Sequence, residues 1–98
     1  MVMLRFLKNS LRRRSQAEIF IYVFENSINK PVCIKDISKH LGLDSQAVWK
    51  TLAKFTLHEI VTQAKQDGTH GTPRLYSIKY NNPDIEAYIN VAKETLKC

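Results

Sequence analysis

Apolar positions recur along this chain at a spacing that changes from helical to alternating and back to helical. Met3, Leu4, Leu7 and Leu11 stand at helical spacing with basic residues between them, which predicts a short amphipathic helix over residues 3–14. SQAE at 15–18 then has the Ser-x-x-Glu form of a capping box, in which Ser15 caps a helix and Glu18 reaches back. The helix expected from there to about Ser27 is apolar nearly all round, through Ile19, Phe20, Ile21, Tyr22, Val23 and Phe24. A helix without a polar face needs cover on every side. In so short a chain, part of that cover is expected from another subunit.

Asn29-Lys30-Pro31 interrupts the pattern. IKDISKHL, residues 34–41, predicts a short helix with Ile34, Ile37 and Leu41 facing inward and Gly42 as its left-handed cap. Asp44 or Ser45 is then placed to cap a third helix running to about His58, with Val48, Leu52 and Phe55 as its buried stripe. Ile60-Val61-Thr62 has β-branched strand character. QDGTHGTPR at 66–74 is turn-rich, and Leu75-Tyr76-Ser77-Ile78 alternates like a returning strand. Asn82-Pro83-Asp84 opens a last helix whose stripe is Ile85, Tyr88, Ile89, Ala92 and Leu96. The order is helix, helix, tight turn, helix, hairpin, helix. It predicts an α+β, mainly helical fold: a winged helix-turn-helix with a C-terminal dimerisation helix. The expected division is a basic arm or short helix over 1–14, the winged helix-turn-helix over 15–80, and the C-terminal helix over 81–98.

One residue breaks the pattern. Trp49, the only tryptophan, lies one step off the apolar stripe of the third helix, between Gln46 and Lys50 on the face that should meet water. It either contacts a partner there or folds back to seal the wing.

Charge sharpens the picture. The chain carries a net +6, and the excess is unevenly placed. Arg5, Lys8, Arg12, Arg13 and Arg14 face no acid within 1–14, and Lys50, Lys54, Lys65, Arg74 and Lys79 outnumber Glu59 and Asp67 within 45–80. Two basic zones on a small domain point to a polyanion, most often nucleic acid. At 98 residues with 44% apolar content, the chain suits one modest core rather than a disordered segment. No apolar run approaches a membrane span, and Arg5 and Lys8 interrupt the N-terminal apolar residues, so neither a membrane anchor nor a signal peptide is read. Cys33 and Cys98 form no metal-spaced pair and are read as free thiols, consistent with a cytoplasmic, nucleoid-associated protein.

The run IKDISKHLGLDSQAVWKTLAKFTLHEIV, followed by a hairpin ending TPRLYSI, resembles the winged helix-turn-helix domain of the ArsR and MarR repressor superfamily. Its members carry an L-x-x-h-L-G-h-S-x-x-x-V-x-x-x-L run, a strand, a Gly-rich wing and a basic residue before an aromatic strand. The likeness covers roughly residues 15–80. Glu59 departs from it, standing where the family usually has glycine, and so bears on the local turn. The resemblance implies that the recognition helix starts at Ser45 and presents Ser45, Gln46, Trp49 and Lys50 to the DNA major groove, with Lys54 further along near a phosphate. It matches the wing's basic residue to Arg74, beside which Lys65 and His70 are further candidate wing contacts. It also implies a homodimer built on the first and last helices, through Phe20, Phe24, Ile85, Tyr88, Ile89 and Leu96.

The chemistry of these side chains agrees. Gln pairs with adenine in a bidentate manner, Ser pairs with several base edges, and Lys reaches guanine or phosphate. The plainer readings stand beside it: Lys50 and Lys54 as a solvated helix face, Lys65 and Arg74 as guards of a hairpin edge, His70 as a loop residue. The basic N-terminal arm suits the DNA backbone through Arg12, Arg13 and Arg14, a dimer interface through Met3, Leu4, Leu7 and Leu11 or, least well, a membrane surface. No Gly-rich phosphate loop, nucleophile context, acidic pair or Cys/His cluster argues for an enzyme, a cofactor or a metal. The sequence therefore points to a dimeric, sequence-specific binder of double-stranded DNA, a transcriptional regulator and most simply a repressor, whose small-molecule effector is not defined by it. Two alternatives remain: a plasmid or viral centromere- or origin-binding protein, and a winged helix used as a protein–protein interaction module.

Overall fold

The computed structural model describes residues 10–28, 30–64 and 75–97. Within them the order is α1 (Arg14–Asn26), β1 (Val32–Cys33), α2 (Ile34–Leu41), α3 (Ser45–Leu57), β2 (Val61–Ala64), β3 (Leu75–Ile78) and α4 (Ile85–Lys97). The three strands form one antiparallel sheet in the order β1-β3-β2. Val61 pairs with Ile78 and Gln63 with Tyr76, while Val32 pairs with Tyr76 from the other side. Strand β1 is not signalled by the apolar pattern, because two residues are too few to show alternation.

Helix α1 starts one residue ahead of the expected capping box. Arg13 precedes it with no side-chain cap, so Ser15 lies inside the first turn. Glu18 is used differently: it accepts from Arg14 Nε at 3.1 Å. Ser10 and Leu11 belong to a preceding helical turn. Leu11 is completely buried, and the Thr95 hydroxyl donates to its carbonyl oxygen at 2.8 Å. The chain is thus already part of the packed unit at residue 11, within the segment expected to be a basic arm.

Much of the apolar surface of α1 is covered from within the chain, while Ile21, Tyr22 and Phe24 are only partly buried. Helix α4 packs along it, and α2, α3 and β3 close other sides. Phe20 meets Phe55 of α3 edge to face, with ring centroids 5.9 Å apart. Aromatic pairs in this arrangement add about 0.5–1.5 kcal/mol to the burial of their area. At the C-terminal end of α1, the Ser27 hydroxyl accepts from the Ile78 amide at 3.2 Å, which seats the helix on β3.

The turn between α2 and α3 is built as expected. Gly42 takes φ 67°, the left-handed conformation that only glycine adopts without steric cost. Ser38 closes it twice: its hydroxyl donates to the Leu43 carbonyl at 2.5 Å, and its own carbonyl accepts from the Leu43 amide at 3.1 Å. Asp44 occupies the cap position of α3 but makes no side-chain cap bond; its carbonyl accepts the first helical bond, from Val48, at 3.1 Å.

Helix α3 ends at Leu57 with His58 as its C-cap, and Glu59 beyond it takes φ 61°. The position that departs from the resembled pattern is therefore left-handed, with a glutamate in it. Helix α4 begins later than the Asn-Pro-Asp signal suggests. Asn82 is not its cap. The Asn82 Oδ1 accepts from the Asp84 amide at 2.8 Å in a side-chain turn, and the Asp84 carbonyl then takes the first helical bond, from Tyr88.

Candidate nucleic-acid interface

Helix α3 buries Val48, Thr51, Leu52 and Phe55 against the core. These positions occupy one side of a 3.6-residue helix, so the residues between them must face out. Ser45, Gln46, Trp49, Lys50 and Ala53 are all exposed. Thr51 is the one polar residue on the buried side, and its hydroxyl is satisfied by the Ala47 carbonyl at 3.0 Å. Four of the five residues expected in the recognition helix are thus brought together on one accessible strip.

Lys54 is different. It is half-buried, and its Nζ lies 3.4 Å from the Ser10 hydroxyl oxygen. Its ammonium reaches towards the turn before α1 and does not stand free beside Lys50. Leu57, a large apolar residue with no signal of exposure in the spacing, is 78% exposed at the end of the same helix.

Trp49 is 47% exposed. It lines a surface cleft of about 410 Å³ together with Ile34, Ser45, Gln46 and Lys50. Ile34 is the first residue of α2, so the cleft lies between the opening turns of the two helices that form the helix-turn-helix. Ile34 was expected only as a core residue; it is half-buried, and part of its side remains open to this cleft. Among the described residues no carboxylate lines the cleft, and Lys50 supplies a cation at its rim.

Lys65, His70 and Arg74, the expected wing contacts, lie outside the described residues, as do Met3, Leu4, Leu7 and Cys98. Arg12, Arg13 and Arg14 are exposed, Arg14 being engaged with Glu18. Among the residues expected at a dimer interface, Phe20 and Tyr88 are 0% and 3% exposed and serve the chain's own core. Phe24, Ile85, Ile89 and Leu96 are half-buried and keep an open edge. Burial raises the Tyr88 hydroxyl pKa above its usual 10.0, and the Asp84 carboxylate adds to the shift.

Among the described residues, no group of three or more His, Cys, Asp and Glu side chains is placed to hold a metal ion. His40 packs instead on Tyr22, with ring centroids 4.9 Å apart. No helix among the described residues is long and apolar enough to cross a membrane.

The turn at Gly42, the exposed strip on α3 and the β2–β3 hairpin behind it define a winged helix-turn-helix domain. Solved structures with this fold superpose on it. The zinc-responsive MarR family member ZitR of Lactococcus lactis matches over 85% of this chain and 50% of its own, with a TM-score of 0.57 at 22% identity. The adhesin competence repressor AdcR of Streptococcus pyogenes matches over 85% of this chain and 59% of its own, with a TM-score of 0.58 at 15% identity. The disulfide-formed structure of AbfR matches over 99% of this chain and 67% of its own, with a TM-score of 0.61 at 17% identity. The chain spans about half the length of ZitR. No family model and no curated protein sequence matches it. At these identities the likeness establishes the fold.

Proposed function

We propose that the chain binds double-stranded DNA sequence-specifically as a homodimer and regulates transcription as a repressor. The observation that carries this reading is the strip Ser45, Gln46, Trp49 and Lys50. These residues share the exposed face of the second helix of a helix-turn-helix, the element that enters the major groove in such domains. The net charge of +6 supports it, because neutralising phosphates supplies most of the non-specific affinity for DNA. The fold it shares with AdcR, a competence repressor, supports the regulatory part. Wing contacts from Lys65, His70 and Arg74, and backbone contacts from Arg12 and Arg13, complete the proposed footprint. Phe24, Ile85, Ile89 and Leu96 supply the proposed dimer face. A symmetric dimer would set two recognition helices on a palindromic site, about one duplex turn apart.

The test is binding to a random pool of duplexes over a range of salt. A sequence-specific binder enriches one palindromic site and shows a steep fall of log affinity with log salt concentration. Absence of any sequence preference would overturn the reading. Sedimentation of the free protein at micromolar concentration tests the dimer.

A further inference from the structure

We infer that Trp49 and Ile34 form a receptor for the 5-methyl group of a thymine, and that with Gln46 they make the chain read an A·T pair. The inference rests on the DNA-binding reading above and names which base that surface recognises.

The lining of the cleft carries the argument. Its two apolar members, Trp49 and Ile34, come from different helices and are both incompletely covered by the core. Its other members, Ser45, Gln46 and Lys50, are all capable of donating hydrogen bonds. Among the described residues the cleft is therefore an apolar notch with a donor-rich rim that carries no acid. A phosphate alone would leave the notch unused, and an apolar peptide side chain would leave the rim unpaired. In the major groove, the only apolar group on any base edge is the thymine methyl, and the adenine paired with it presents the N6 and N7 pattern that a Gln amide matches. Gln46 and Trp49 are three residues apart on α3, so their Cβ atoms are about 5–6 Å apart and their side chains reach one base pair or two adjacent ones. An aromatic ring half exposed on this face is otherwise a cost, since it leaves a large apolar surface in water.

Deoxyuridine provides the test, because it keeps every hydrogen-bonding group of thymidine and lacks only the methyl. A site is first selected from a random duplex pool. Each thymine in it is then replaced in turn by deoxyuridine, symmetry-related positions together, and affinities are measured for the wild type, Trp49→Ala and Trp49→Phe. One position should weaken wild-type binding about fourfold per half-site, the effect of losing one buried methyl. Trp49→Phe should keep part of that sensitivity, and Trp49→Ala should bind both duplexes equally. If uracil is tolerated at every thymine, or the selected site has no thymine under the recognition helix, the methyl receptor is wrong while sequence-specific binding stands. If the wild type selects no site at all, the DNA-binding reading itself fails, and the receptor with it. Because Trp49 is exposed, its variants should retain the wild-type circular dichroism, and Trp49→Phe preserves the test if Trp49→Ala does not.

Discussion

The Asn82 side-chain amide donates to the Glu59 carbonyl oxygen at 3.0 Å and so joins the turn that follows α3 to the turn that starts α4. The same Asn82 side chain accepts from the Asp84 amide, so one residue both shapes the entry to α4 and clamps the exit from α3. Asn82→Ala should lower stability by about 1–2 kcal/mol, the usual result of losing two modest hydrogen bonds. Glu59→Gly should do the opposite. The left-handed conformation costs an L-residue about 1–2 kcal/mol, and glycine's extra chain entropy returns about 0.5–1 of that. The Glu59 ion pair with Lys79, 3.4 Å long and exposed on the glutamate side, adds little. A net gain of about 0.5 kcal/mol, read from urea unfolding at unchanged slope, is expected.

Phe20 and Phe55 are both completely buried and touch edge to face. Truncating either to alanine should cost about 3–5 kcal/mol. A domain of this size has a total stability of about 5–15 kcal/mol. Either variant should therefore be partly unfolded at 37 °C, visible as a lowered and broadened thermal transition. A change below about 1 kcal/mol at either position would contradict the packing.

Lys50 and Lys54 should separate in function. Lys50 stands exposed on the strip, whereas Lys54 turns towards Ser10. Lys50→Ala should weaken binding to all duplexes alike and reduce the salt slope by about 1. Lys54→Ala should leave the salt slope nearly unchanged. Gln46→Ala should instead relax the preference at one base pair. Fluorescence titration of Trp49, the only tryptophan, reads all three in the same assay; equal salt slopes for both lysine variants would refute the distinction.

Tyr88 should give stability a pH dependence at the alkaline end. Its folded-state pKa is raised by burial, and then by Asp84, above the 10.0 of an unfolded chain. The folded state therefore holds the hydroxyl proton more tightly. The corresponding stability is complete below pH 10 and is lost as pH rises through the unfolded and then the folded pKa. Tyr88→Phe should remove that part of the decline. Urea midpoints from pH 8 to 11 should fall more steeply for the wild type than for Tyr88→Phe.

Much of this fold is written in local spacing. The stripe Val48, Leu52 and Phe55 marked the buried side of α3, and by exclusion placed Ser45, Gln46, Trp49 and Lys50 on the open side. Gly42 marked a left-handed turn because no other residue type takes that conformation cheaply. Leu75 to Ile78 marked β3 through alternation. These signals depend on the backbone geometry of a few neighbouring residues, and that geometry is the same wherever the segment sits.

Other features depend on partners distant in the chain. The residues of α1 show that it must be covered, but not that α4 covers it; that choice follows from contacts such as Thr95 with Leu11 and Ile78 with Ser27. Strand β1 exists because β3 offers it an edge. Glu59 is left-handed because the chain must turn there to place Ile60 in the core and leave its own carbonyl for Asn82. Ile34 stands beside Trp49 because the turn at Gly42 sets the angle between α2 and α3. Local periodicity determined which side chains seek burial and which stay in water. Which surface each one meets was decided only by the tertiary structure, because burial free energy is non-directional and takes its geometry from whatever elements pack together.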